Sequence, residues 1–101
     1  MSSSLPLTAE PLAAEREPFP HTVWYSVHAC SEPDVMPRVL ELFAKRGLVP
    51  HKWHSTASGT ELMMDVQIGG LGHELAGYIA RCMRQIAGVE TVLTVETHPP
   101  G

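Results

Sequence analysis

Residues 61–68 alternate without a break, with Leu62, Met64, Val66 and Ile68 on one parity and Glu61, Met63, Asp65 and Gln67 on the other. Successive side chains of a strand point to opposite faces, so this run reads as a strand with one buried face. Such a strand needs neighbours along its edges and a layer over its apolar side. The rest of the chain has to supply both.

A second strand signal lies at His21–Cys30, where Val23, Tyr25, Val27 and Ala29 share one face and Trp24, Ser26 and His28 the other. Its density of β-branched and aromatic residues suits a pleated surface. Between these two strands the period changes. Over Asp34–Arg46, Val35, Val39, Leu42 and Phe43 fall at helical spacing, with Met36 and Leu40 beside them. Asp34 stands where an N-cap is needed, which puts Pro37 at the third helical position, where its missing N–H does no harm. Gly47 suits the C′ position, and Lys45 and Arg46 suit the negative end of the helix dipole. Leu48–Ser58 reads as a poorer strand, and Pro50 marks it as an edge or a bulge. Ser58-Gly59 makes the turn into residues 61–68. Gly69-Gly70-Leu71-Gly72 is a flexible link to a helix over His73–Ala87, with Leu75, Ile79, Cys82, Met83 and Ile86 as its buried stripe. Gly88 stops that helix, and Val89–Glu96 is the last strand.

The order β-α-β-β-α-β predicts an α+β, ferredoxin-like sandwich: a four-stranded antiparallel sheet with two helices on one face. The domain spans 21–96. Residues 1–20, with Pro6, Pro11, Pro18 and Pro20, read as a disordered tail, and residues 97–101 as a frayed C-terminus. About 80 folded residues hide a modest share of their surface, so association with another chain is expected to help. The sheet face without helices should expose an apolar patch, with Trp24, Met63 or Val92 as candidates.

Composition narrows the function. The net charge is −4, and half of it comes from the tail, where Glu10, Glu15 and Glu17 oppose Arg16. The remaining basic residues are scattered, unlike a nucleic-acid footprint. Two cysteines, Cys30 and Cys82, form no disulfide framework and fit a reducing cytoplasm. No leader and no membrane-spanning run is visible, so no membrane is expected. His51 and His54 lie three apart, on opposite faces of a strand, which does not favour a metal. His28 reads as an interface residue beside Trp24. The Gly69–Gly72 run lacks the Lys-Ser/Thr of a P-loop. Cys82 reads as an inert thiol on an apolar stripe. No nucleophile-and-base arrangement is visible, so no catalytic residue, metal or cofactor is assigned. Other users of this fold order also fail: residues 61–67 lack the aromatics of an RNA-recognition strand, Cys30 lacks a CxxC partner, and Ser31-Glu32-Pro33-Asp34 is acidic where a small phosphatase needs arginine.

The run Ser31–Gly47 resembles the first loop and helix of ACT domains, and within them the small regulatory subunit of acetolactate synthase, whose N-E-P-G-V-L type loop leads to a helix ending R-R-G or H-R-G. Met83–Glu96 is similar to that subunit's last helix and strand. The resemblance implies a non-catalytic, cytoplasmic accessory subunit of branched-chain amino-acid synthesis. It would form a homodimer through side-by-side sheets and dock on a catalytic subunit that holds thiamine diphosphate, flavin and magnesium. The outward side of the first helix (Arg38, Glu41, Lys45) and the first loop are the docking candidates. The alternative is a stand-alone ACT domain sensing a small molecule for another pathway. In the family, amino-acid effectors bind between paired domains near the first loop and the second strand, which points to Ser31, Asp34, Val35 and Val49. Three of these depart from the pattern: Ser31 and Val49 replace asparagines, and Asp34 replaces a glycine whose neighbourhood receives the ligand carboxylate. Asp34 adds bulk and negative charge there, so amino-acid binding is expected to be weak or absent.

Overall fold

The computed structural model describes residues 21–97. The expectations for 1–20 and 98–101 lie outside the described residues. Six elements follow in order: β1 (Thr22–Cys30), α1 (Val35–Ala44), β2 (Lys52–Ser58), β3 (Glu61–Gly69), α2 (His73–Arg84) and β4 (Val89–Thr97). The strands form one antiparallel sheet in the order β2-β3-β1-β4. This is the ferredoxin-like sandwich that the sequence predicts. Thr97, read as frayed, instead closes β4 opposite Thr22.

The inward parities of β1 and β3 meet in register, Tyr25 opposite Val66 and Val27 opposite Met64, and all four are at most 1% exposed. Val35, Val39, Leu42 and Phe43 of α1 lie over them, with Ile79 and Met83 of α2. The Tyr25 ring packs obliquely on Phe43, centroids 5.9 Å apart. Its hydroxyl donates to the Ala76 carbonyl at 2.7 Å, tying sheet to helix.

Several expectations are corrected. The stripe of α2 is centred on Ala76, Ile79, Ala80 and Met83, while Leu75, Cys82 and Ile86 are only partly buried. Small residues lie where the helix crosses Tyr25, because a longer side chain would hold α2 off the sheet. Val92 faces inward at 4% exposure, not onto the open face. A bulge between His28 and Ala29 explains it: the bulge shifts the parity of β4, so Val89 and Val92, an odd number apart, both turn to the core. Leu93 and Val95 take the open face instead, 66% and 56% exposed, beside Trp24. Residues 48–51 are not strand, and β2 begins only after Pro50, which cannot donate to a ladder. The link before α2 is anchored: Gly70 adopts φ +77°, its N–H reaches the His21 carbonyl at 2.9 Å, and Leu71 is buried.

The end of α1 follows its sequence closely. Gly47 adopts φ +70°, its N–H bonds to Ala44, and the N–H of Leu48 reaches back to Phe43 at 2.9 Å. This pair of bonds is a Schellman motif, and it aims the chain across the end of the helix toward β2. Among the described residues no helix is long and apolar enough to cross a membrane.

Candidate functional site

The path that the Schellman turn sets leaves a groove between α1 and the approach to β2. α2 packs closely along β4, whereas α1 makes no comparable contact with β2. The resulting groove, about 490 Å³, is lined by Met36, Pro37, Leu40, Val49, Pro50 and Trp53. Every lining side chain is apolar. Val49 is 82% exposed and Leu40 46%, an unusual state for residues of their type. The groove runs beside β2, whose ladder partner among the described residues is β3 alone, so within them the other edge of β2 is unpaired. An apolar groove next to an open strand edge can take a hydrophobic side chain, or a second sheet laid edge to edge.

The residues predicted for effector binding separate in space. Val49 lines the groove. Val35 is fully buried in the core beneath Gly88, where an added Cβ would lie 3.1 Å from it, so it faces no ligand. Ser31 is exposed and its backbone N–H bonds to the Thr60 carbonyl at 2.9 Å. Asp34 occupies the N-cap position, but its carboxylate makes no cap bond. It instead pairs with Arg38 one turn along, Oδ2 to Nε 3.1 Å, on the exposed helix surface. Sequence reasoning missed the other groove residues. The signal was present: Met36 and Leu40 stand four apart beside the core stripe, a second apolar face on one short helix.

Neither cysteine is disposed to act as a nucleophile. The Cys30 thiol donates to the Glu90 carboxylate at 3.6 Å, and that hydrogen bond, ahead of desolvation and the nearby negative charges, raises the thiol above its ordinary range. A thiolate is the reactive form, so this environment opposes activation. Cys82 is partly buried against the core. His51 and His54 are exposed, and His28 is half-buried on the open face between Met63 and Thr91. Among the described residues no group of three or more histidines, cysteines or carboxylates is placed to hold a metal.

A different cluster closes the opposite side of the sheet. Glu96 accepts from or pairs with His21 Nε2 at 3.1 Å and His73 Nδ1 at 2.8 Å, linking the starts of β1 and α2 to the end of β4. Burial of Tyr25, and then the Glu96 charge, push the Tyr25 phenol well above the ordinary tyrosine range.

Known proteins place this arrangement. The ACT domain from GTP pyrophosphokinase of Chlorobium tepidum, in its crystal structure, is 11% identical and superposes with a TM-score of 0.66, covering 73% of this chain and 96% of that one. The C-terminal domain of MgtC from Mycobacterium tuberculosis is 10% identical with a TM-score of 0.64, covering 83% and 94%. At such identity these likenesses concern the fold. No curated protein matches the chain in sequence. The ACT-like domain family matches residues 19–99, most of the chain. With its βαββαβ order, its sheet β2-β3-β1-β4 and that match in hand, this chain belongs to the ACT-like domain family, whose members are in general regulatory, ligand-binding modules.

Proposed function

We propose that the chain is a non-catalytic accessory domain that pairs side by side with a second copy through α1 and the β2 edge, and regulates a separate catalytic protein. The observation that carries this reading is the apolar groove beside an unpaired strand edge. A twofold axis there sets β2 against β2, satisfies the free backbone groups, and covers Leu40 and Val49 of both copies. The loop-and-helix resemblance of Ser31–Gly47 directs the finer reading: the catalytic protein is the large subunit of acetolactate synthase, which would hold the thiamine diphosphate, flavin and magnesium. Ser31 to Asp34 and the outward residues Arg38, Glu41 and Lys45 are exposed and lie away from the groove lining, which leaves them for the large subunit. Accessory action then rests on contacts that differ between two states of the enzyme.

The test is turnover of a purified acetolactate synthase catalytic subunit with and without this chain. Stimulation and co-elution are expected, and reversal of Arg38 and Lys45 to glutamate should weaken both, most at low salt, since rim charges mainly steer association. Neither stimulation nor co-elution by the wild-type chain overturns the acetolactate synthase reading. A second reading then takes its place, a sensor for another pathway. It is favoured by the wholly apolar groove, and by the occurrence of the fold as parts of GTP pyrophosphokinase and MgtC, since a fold does not fix a partner. Calorimetry with amino acids separates the two. The accessory reading expects no measurable valine binding, because Asp34 stands where the family pattern implied by the resemblance has a glycine and adds negative charge there.

A further inference from the structure

The sheet face that carries no helix is polarised along its strands. Trp24, 49% exposed, lies opposite Val95, and Leu93 lies opposite Ser26 one step along, so three exposed apolar side chains share one end of β1 and β4. At the other end Glu61 lies opposite Cys30, whose thiol donates to Glu90 at 3.6 Å. Asp65 stands between the two ends, opposite Ser26. Among the described residues none of Glu61, Asp65 and Glu90 makes an ion pair, the pairs being Asp34–Arg38 and the two imidazole contacts of Glu96. His54 lies opposite Asp65 without pairing to it, and Lys52 lies opposite Gln67, toward the other end of β3 from Glu61. An exposed apolar end and an unneutralised acidic end therefore sit on one continuous surface.

We propose that this face docks an amphipathic helix of another protein, with the helix's apolar stripe on Trp24, Leu93 and Val95 and its lysine or arginine residues toward Glu61 and Glu90. Charge decides against a second copy. Stacking two of these faces about a twofold axis along the strands sets the acidic end on the acidic end of the copy, and an axis across the strands sets it on Trp24 and Val95. Neither is complementary. The same carboxylates repel anionic lipid. Size favours a helix. From β3 across β1 to β4 is two strand spacings, about 10 Å, which is the diameter of a helix. From Trp24 to Cys30 is about 20 Å along β1, the length of about 13 helical residues, or between three and four turns. A sheet with helices on both faces is also a common layered architecture, and this chain supplies helices to one face alone. Pairing through α1 and the β2 edge leaves the face open, so the inference holds for one copy as for two.

The chain has two tryptophans, Trp24 on this face and Trp53 in the groove, so their two indole N–H resonances report the two surfaces separately by NMR. The probe is a synthetic helical peptide of about 14 residues, with leucine along one face and lysine in its last turn. Added to the full chain, it is expected to move the Trp24 resonance to saturation and to leave Trp53 in place. Binding should weaken at least about tenfold in Glu61→Gln/Glu90→Gln and in Leu93→Ser, and in the wild type at high salt. All three positions are exposed, so the variants keep the fold. A Trp24 resonance that the peptide does not move overturns the proposal. Equal affinity for the wild type and the Gln variant also overturns it, since the face would then be adhesive without reading charge. A shift of Trp53 instead assigns the helix to the groove, and a Trp24 shift on dilution without peptide assigns the face to a second copy.

Discussion

The two edges of the sheet are finished in opposite ways. At the β4 edge, α2 lies close against the strand, Arg84 donates to the Val92 carbonyl at 2.9 Å, and Glu96 draws His21 and His73 together. At the β2 edge α1 stands off from the strand, joined to it by the bond from the Ser55 hydroxyl to the Met36 sulfur at 3.8 Å, and the space holds an apolar groove in which Leu40 and Val49 are exposed. β4, like β2, has one ladder partner among the described residues, but its side of the sheet is covered in part by the chain itself. The β2 edge is left in the state that proteins avoid unless something covers it. A small sheet that closes one side and leaves the other apolar is built to be extended in one direction.

The largest expected effect breaks the open edge. Leu40→Asp places a charge in the groove, and self-association should weaken at least about 100-fold, roughly 2.8 kcal/mol at 1.4 kcal/mol per tenfold. Leu40 is already 46% exposed, so the monomer should keep its melting temperature. Leu93→Asp, on the open sheet face beside Val95, is the control and should leave the dimer intact. Sedimentation velocity reads both. Should Leu93→Asp dissociate the dimer while Leu40→Asp does not, the contact is face to face, and the two edges are not the meaningful contrast.

Tyr25 comes next, since it joins the sheet to α2 on the closed side. Burial raises its phenol, followed by the Glu96 charge. The folded value lies above the unfolded one, so the unfolded chain loses its proton first as pH rises, and stability falls once pH passes about 10. Below that pH the group contributes no slope. Tyr25→Phe should cost about 1 kcal/mol at neutral pH, through the lost bond to Ala76, and should flatten the alkaline loss. Urea unfolding at several pH values measures both.

The centre of the sheet and the first helix are the most legible parts of the sequence. Period-two runs in β1 and β3 and the helical spacing of α1 identify the core because each parity decides burial directly. The failures share a cause in contacts that no local period records. Alternation alone misplaces Val92, because the bulge between His28 and Ala29 shifts the parity of β4. Ala76 and Ala80 were overlooked because an alanine looks neutral until Tyr25 is known to lie beneath it. The groove is hidden in the sequence because Met36 and Leu40 stand beside a core stripe, although they form a face of their own. Position alone makes Asp34 a cap, yet its carboxylate turns to Arg38. Of the effector residues taken from the family pattern, Val49 lines the groove, which the sequence-level reading of charge and bulk centred on Asp34 did not anticipate.

Glu96 tests how much the histidine cluster contributes to closing the β4 edge. Glu96→Gln keeps the shape and removes the charge. His73 is largely exposed and its contact is screened, whereas the His21 contact is partly buried. A loss of about 0.5–1 kcal/mol is expected, with no change in self-association. Denaturant titration and sedimentation together decide it, and a dimer that weakens with Glu96→Gln would show that the two edges are coupled.

The smallest effect concerns the one flaw on the closed side. The Thr94 hydroxyl is the buried side-chain polar atom without a hydrogen-bond partner among the described residues. It lies on the inward parity of β4, opposite Tyr25. A buried hydroxyl without a partner forfeits its hydration and gains nothing in return. Thr94→Val replaces it with a methyl group of nearly the same volume, keeps the β-branch that strands favour, and removes the need for a partner. Stability should rise by a few tenths of a kcal/mol, up to about 1 kcal/mol. Thermal unfolding at matched protein concentration reads the change, because the proposed pairing would shift the midpoint by mass action. A loss of stability instead would mean that the hydroxyl is satisfied by water reaching in from the β4 edge, and that this edge is less completely closed than the side chains around it indicate.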